Sequence, residues 1–502
     1  MPTSRKPHRK NPIRSEALLR HARAATFKTP SQRAASRASK PRPSVAQETP
    51  FGSRFEVKVP LPGHDVVLTR RHFLLGAAGI GAVAAATAGV VLLGGGEEES
   101  DSQGITVPER AVFNIDDCEE LPRDDCFTLV GDYELPFGTL VWANNSQVAA
   151  CLLPTETASP LTQVALLMLD TGNYFTVLEA AVGAAEGFEI YDARASQSGL
   201  VWIEANVMEG IWRILCAPIS SEGSLGEPRL LEEGDRSCET PSIGAVKDNA
   251  YWQVMPSTID EEFRTKPSYL KRAGFAKDNI QVLHEATGRM SCPLYPSDAG
   301  VVIAAHNPES RSTYDLMYFD DESGLPMDTL TLPSGMAPNA LGFGPNGIAF
   351  CFESIYDYGD GISNLGTYTP ATAHVPGSPY NDIKWFRFGR TPQTGPCWCT
   401  DRWLMVKSTT AVCGVDLANH TFCSLDVESG CTNWGDHLAT TGAGDTVVTI
   451  MQIDQVNTKG KTEHRAQVRV WKVYDGPAHV DEDEDGYDDI TGELLPTVEE
   501  QA

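Results

Sequence analysis

"GLVWIEAN" (Gly199–Asn206) is an apolar run entered through a glycine and left through an asparagine. Runs of the same build read "GTLVWANN" from Gly138, "NAYWQV" from Asn249 and "GVVIAAH" from Gly300. They continue as "GIAFCFES" from Gly347, "DRWLMVKS" from Asp401 and "GDTVVTIMQ" from Gly444. Successive spacings are 61, 50, 51, 47, 54 and 43 residues. Short runs rich in β-branched and aromatic residues behind turn formers read as strands. Their return at about fifty residues marks an array of small sheets rather than a series of unrelated folds. Long helical periodicity is missing after residue 105.

Each run is followed by two further strand-like pieces. In the second unit these are Ile211–Ile219 and Pro228–Glu233; in the sixth they are Thr410–Leu417 and Thr421–Val427. A fourth piece precedes each run, as "PSIGAVKD" precedes Asn249. Four strands repeated seven times predict an all-β chain, a seven-bladed β-propeller of four-stranded blades. A string of β-sandwich domains is the competing reading and calls for repeats nearer a hundred residues. A ring needs its edges paired. The last unit is short of a strand after Ala466–Tyr474, and "RAVFNI" (Arg110–Ile115) is the expected source. The repeat lacks both the Gly-His…Trp-Asp signature and the paired glycines of two large propeller families. Over about 370 residues it resembles TolB-like and quinoprotein-like propellers and those of actinobacterial exported proteins.

Charge divides the chain. Residues 1–72 hold 16 Lys/Arg against 4 Asp/Glu, residues 73–96 hold no charge, and the remainder holds 24 Lys/Arg against 63 Asp/Glu. An acidic body of this kind repels phosphate backbones, which speaks against nucleic-acid binding by it. Residues 1–68 read as a disordered basic arm, with "FEVKVPL" (Phe55–Leu61) alternating like a short strand. Arg14–Phe27 reads either as a solvated tail or as a basic amphipathic helix on an anionic membrane.

Thr69-Arg70-Arg71-His72-Phe73-Leu74 resembles the twin-arginine export signal, with Leu75 where that pattern has Lys. The resemblance implies passage through the twin-arginine translocase, with Arg70, Arg71, Phe73 and Leu74 as its recognition residues. Phe73–Leu93 is an uncharged stretch of 21 residues, ~30 Å long as a helix and so one bilayer core. Arg70 and Arg71 on one flank and Glu97–Glu99 on the other put the N-terminus inside the cytoplasm. The expected organisation is arm 1–68, signal and anchor 69–96, linker 97–109, propeller 110–476 and acidic tail 477–502. Cleavage after Ala86-Thr87-Ala88, with release of the propeller into the medium, is the alternative to a single-pass anchor.

All 12 cysteines fall between Cys118 and Cys431. That distribution suits a reduced inner end and an oxidised outer end. Cys413 with Cys423 across a turn, and Cys118 with Cys126, are the expected disulfides. Asp481, Asp483, Asp485, the carbonyl of Tyr487, and Asp489 follow the spacing of an oxygen-ligand Ca2+ loop. Position 12 is Gly492, and Glu493 stands one place late. A calcium loop and a solvated acidic tail both fit.

Nothing in the sequence points positively to catalysis. There is no Gly-x-Ser-x-Gly elbow, P-loop or dinucleotide fingerprint, and Ser268-x-x-Lys271 lacks companion motifs. The long polar connections between second and third strands are the expected ligand-binding face. They offer Glu261 and Glu262, His306, and the group Tyr356, Asp357, Tyr358 and Asp360. The reading is a membrane-anchored extracytoplasmic module that binds or senses a protein or small ligand. An exported quinoprotein-like oxidoreductase or hydrolase on the same propeller and an envelope scaffold are the alternatives.

Overall fold

A period of about fifty residues is the length of one four-stranded antiparallel sheet with its turns. The computed structural model describes residues 56–61, 64–69, 105, 107–157, 159–220, 222–352, 366–381, 383–388, 395–442, 444–456, 460 and 462–474. The signal and anchor residues from Arg70 to Gly96 and the tail loop Asp481–Glu493 lie outside them. Among the described residues no helix is long and apolar enough to cross a membrane. The strand expected within Phe55–Leu61 is Glu56–Leu61, paired antiparallel with His64–Thr69.

The described residues after Val107 build seven blades of a β-propeller. Blade 1 comprises Leu140–Trp142, Val148–Pro154, Thr162–Met168 and Tyr174–Leu178, and blade 2 comprises Glu189–Ala195, Gly199–Asn206, Ile211–Pro218 and Arg229–Gly234. Blade 3 comprises Ser242–Val246, Asn249–Val254, Ser268–Gly274 and Gln281–Ala286, and blade 4 Tyr295–Pro296, Gly300–His306, Tyr314–Asp320 and Pro326–Thr331. Blade 5 comprises Ala340–Gly344, Gly347–Phe352, Gly366–Pro370 and Trp385–Phe388, and blade 6 Cys397–Cys399, Trp403–Lys407, Val412–Asp416 and Thr421–Ser424. Blade 7 takes Cys431–Leu438, Thr446–Val456 and Thr462–Val473 from the C-terminal side, and Phe127–Pro136 from the N-terminal side.

Six of the seven repeated runs are second strands. The first, "GTLVWANN", is instead the first strand of blade 1, and the second strand there is Val148–Pro154. This one-strand offset accounts for the long opening interval of the repeat. The second strands read as unbroken apolar runs because a blade packs on both of its faces. Gly199–Ala205 is buried at every position. Separate apolar clusters join blades 1 and 2, 2 and 3, 3 and 4, 5 and 6, and 7 and 1. Another spans blades 4 to 7.

Ring closure differs from the expectation. Arg110–Ile115 does not complete blade 7. Val112–Asn114 pairs in parallel with Trp385–Arg387 at the outer edge of blade 5. Glu119–Glu120 does the same on Thr421–Phe422 of blade 6. The strand that completes blade 7 is Phe127–Pro136, paired antiparallel with Arg465–Val473. Nearer the N-terminus, the Ile105 N–H donates to the Thr331 carbonyl of blade 4 at 3.0 Å. Ile105 and Val107, in the stretch read as linker, are buried. The segment is thus a belt across the outer edges of four blades. A strand of three residues satisfies one edge and is gone, so the belt has length left for the long pairing on blade 7.

The cysteine pairs also differ. The register sets Cys413 opposite Ser424 and Gly414 opposite Cys423, so the two sulfurs point to opposite faces of the sheet. Cys118 packs beside the cluster that holds Cys413, whereas Cys126 lies in a different cluster together with Cys423. No two cysteines among the described residues lie at disulfide distance.

Phe127 is fully buried where the belt meets blades 6 and 7, its ring 5.2 Å from that of Trp403. Phe127→Ala is expected to cost about 3–5 kcal/mol, as large buried aromatics do, read as a lower midpoint in chemical denaturation. An unchanged midpoint would remove the belt from the account of stability.

His437, in the first strand of blade 7, is pushed down to about 4 by burial first and by the Lys407 charge second. An unfolded histidine titrates at about 6.5. Its contribution to stability is therefore whole above that pH, and is lost as the pH falls toward 4 and the unfolded chain takes the proton. His437→Gln should flatten the decline of melting temperature across this window. Parallel declines in the two proteins would refute the assignment.

Candidate functional site

The two faces of the ring are built differently. On one face, turns join first to second strands, and the turn of blade 7 crosses the axis. Its Thr441 N–H donates to Ala143 of blade 1 at 2.9 Å, and its Gly444 carbonyl accepts from Thr400 of blade 6 at 2.7 Å. Its Gly442 carbonyl accepts from Asp298 of blade 4 at 3.3 Å. Gly442 has φ +90°, and a Cβ there would stand 3.4 Å from the Tyr295 hydroxyl. Only glycine takes that turn without strain. Asn144 adds a side-chain bond from blade 1 to the Ala245 carbonyl of blade 3.

The opposite face carries the connections between second and third strands and those between blades. Glu261 and Glu262 lie exposed in the turn 258–267 of blade 3. Arg264 holds that turn by donating to the Thr258 carbonyl. His306 ends the second strand of blade 4 on the same face and stacks on Tyr314 at 4.2 Å. Burial lowers its imidazole below the ordinary range, and its Nδ1 is buried without a hydrogen-bond partner among the described residues. The two groups approach each other around Gly288. A Cβ there would lie 3.8 Å from the His306 ring and 3.9 Å from the Arg264 carbonyl. Tyr356, Asp357, Tyr358 and Asp360 lie outside the described residues. The connection between the second and third strands of blade 7 is a long hairpin, with Asp454 opposite His464 and Val456 opposite Thr462.

A cavity of about 560 Å³ opens on this face at the edge of blade 2. None of its lining residues stands out in the sequence as a site residue. One lining residue, Arg213, is held by Glu204, the charged residue inside the "GLVWIEAN" run. Glu204 is 0% exposed. Its Oε1 accepts from the Val182 N–H at 2.6 Å and from Trp202 Nε1 at 3.0 Å. Its Oε2 accepts from the Gly183 N–H at 3.1 Å and from Arg213 Nε at 3.0 Å. A buried carboxylate is tolerable only with this degree of satisfaction. Arg213 stands between Glu204 and Glu233 in the strand register, and its guanidinium lies 4.2 Å from the centre of the Phe188 ring.

Next to Arg213, Trp212 is paired with Gly234. A Cβ at Gly234 would meet the indole at 2.2 Å, so the bare backbone is what seats the ring. Trp212 is 4% exposed and its Nε1 has no hydrogen-bond partner among the described residues. Deeper in the wall, Glu232 accepts from Lys271 at 2.7 Å and from Trp252 Nε1 at 2.6 Å. Glu233 and Asp235 are exposed at the mouth. The Ser237 hydroxyl and N–H hold the Asp235 carboxyl below its ordinary range. The wall is continuous with the loop of blade 3, because Ser257 N–H donates to the Ser237 carbonyl and Glu239 N–H to that of Met255, each at 2.9 Å. The lining holds the carboxylates Glu232, Glu233 and Asp235 and the cation Arg213, with Lys266 and Arg236 close to Asp235.

Among the described residues no three His, Cys, Asp or Glu side chains gather as a metal site. No family model and no curated protein matches the chain. Among solved structures it is similar to a prolyl endopeptidase, at 10% identity and TM-score 0.41, over 83% of this chain and 56% of that one. It is also similar to the β-propeller domain of the Trilobed protease from Pyrococcus furiosus, at 10% identity and TM-score 0.38, over 70% of this chain and 95% of that one. For TolB from Acinetobacter baumannii the values are 10% identity, TM-score 0.32, and 56% and 64%. The chain spans about half the length of the prolyl endopeptidase it resembles.

Glu204→Ala removes the buried partner of Arg213, which keeps only the exposed Glu186, and the partner of three further donors. Breaking a buried pair on one side costs about 3–5 kcal/mol. The double change Glu204→Leu with Arg213→Met should recover a large part of that loss in chemical denaturation. No recovery would mean that the other donors to Glu204, not its pairing with Arg213, set the cost.

Proposed function

We propose that this chain is a membrane-anchored extracytoplasmic propeller that binds or senses a partner on the face bearing the loops between second and third strands. The observation that carries the reading is the asymmetry of the ring. The blade 7 turn occupies the axis on one face, while the other face holds the acidic loop of blade 3, the His306 corner and the cavity at blade 2. Binding residues gather on connections held by a rigid scaffold. The twin-arginine pattern at Arg70–Arg71 and the uncharged stretch after it support export and anchoring. The acidic body favours a basic partner through long-range attraction.

The test is capture by the full-length protein in membranes, with mass spectrometry of what it retains. Tyr356→Ala with Tyr358→Ala, and separately Glu261→Lys with Glu262→Lys, should each reduce retention of the partner about tenfold, as loss of central contacts does, without lowering the melting temperature. Retention that survives both, but is lost on changing the turns of the opposite face, would refute the placement. Turnover of ester or peptide substrates by the purified protein would favour the enzyme alternative instead.

A further inference from the structure

Cys126 is the last residue of the belt before the closing strand, and the belt brings it to the outer strand of blade 6. Leu121 N–H donates to the Phe422 carbonyl at 2.7 Å, and Arg123 pairs with Asp426. Those two contacts bracket Cys423. The side to which Cys423 points is fixed by Gly414, its partner in the strand register. Residues directly opposite each other in a sheet project to the same face. A Cβ at Gly414 would meet the Phe127 ring at 2.9 Å, so Phe127 lies on the face that carries Cys423. Cys126 and Cys423 are both buried in the apolar cluster that holds Phe127. The Cys126 thiol is drawn below its ordinary range, first by the neighbouring Cys423 and then, against desolvation, by the Arg402 charge. Cys423 is pushed up, first by Cys126 and then by burial. The more acidic thiol of the two is the nucleophile in exchange with a disulfide.

We propose that Cys126 and Cys423 are a redox-active pair that closes to a disulfide, tying the belt to blade 6 immediately before the strand that completes the ring. Both are thiols in this structure. The oxidant is a molecule that itself bears a disulfide. The Cys126 thiolate attacks one of its sulfurs, and the other leaves as a thiolate. Cys423 gives its proton to water and attacks the Cys126 sulfur, and the second thiolate leaves. The two cysteines together lose two electrons and two protons, and the disulfide of the oxidant is reduced to two thiols. Access comes from local opening of the belt, which is held on blade 6 by a strand pair of only two residues. Bond formation then needs a shift of the short turn Arg123–Asp125 that carries Cys126.

The test is incubation of the full-length protein in detergent with oxidised glutathione, followed by thiol counting and by peptide mapping without reductant. Oxidation is expected to remove two of the twelve thiols and to give one linked pair of peptides, carrying Cys126 and Cys423. The melting midpoint should rise by about 5 °C, since the bond closes a very long loop. Dithiothreitol should reverse all three changes. Cys423→Ser should abolish the linkage and the rise, and leave Cys126 as a mixed disulfide with glutathione. Cys413→Ser, on the other face of the same blade, should keep both. Mapping of the wild-type protein needs no substitution and decides the point where a variant fails to fold. Twelve thiols retained, or a linkage that joins other cysteines, would overturn the proposal. The expected linkage with an unchanged midpoint would overturn its role as a tie on the belt.

Discussion

The pairing of Phe127–Pro136 with Arg465–Val473 is the constraint on which the other blades depend. Each blade buries both faces, so no blade has a finished core until its neighbours are in place. A ring of such units is stable only when the last meets the first. Here the meeting is a strand pair contributed by the two ends of the domain, with an apolar cluster between blades 7 and 1 behind it. Gln467 reaches Asp132 across that seam, and Tyr133 reaches on to the Leu169 carbonyl of blade 1. The closing strand is therefore tied to both blades that it separates.

The same segment manages the sheet edges. An outer strand presents unpaired backbone groups, which are a template for unwanted pairing. The belt covers the edges of blades 5 and 6 with short parallel strands before it completes blade 7. Between blades, buried polar groups lock the relative position of neighbouring sheets. Asp328 of blade 4 accepts from the Tyr380 hydroxyl and the Gly377 N–H beyond the third strand of blade 5, and pairs there with His374 at 3.1 Å. Such a network is favourable only when every member is satisfied, and it then permits few other arrangements. Glu204 has the same standing at blade 2, on the face of the sheet opposite the one where Trp212 is seated over Gly234.

Much of this architecture is legible in the amino-acid sequence. Short apolar runs behind turn residues, returning at a nearly constant interval, specify a ring of small sheets because each sheet must bury both faces on a neighbour. The third and fourth strands of the second and sixth units lie where the pattern puts them, and the need for an N-terminal closing strand follows from the missing piece after Tyr474. The acidic loop of blade 3 and the His306 corner are also visible as polar breaks between apolar runs. Glu204 stands in the opening run as a charge where only apolar residues belong, and Arg213 sits likewise among apolar neighbours in the next strand. Those two breaks in pattern are the available signal for the cavity.

Tertiary structure decided what local pattern leaves open. A strand-like segment can pair with any free edge, so the sequence of Arg110–Ile115 does not say whether it meets blade 5 or blade 7. Strand registry decided the cysteines, because a shift of one residue sends a side chain to the opposite face and separates Cys413 from Cys423. The crossing of the axis by the blade 7 turn depends on the diameter of the assembled ring, which no stretch of sequence records. The sequence determined the repeat, and with it the fold class, through the burial that each strand demands. The structure determined which edges met and which charges were enclosed, because those follow from distances between residues far apart in the chain.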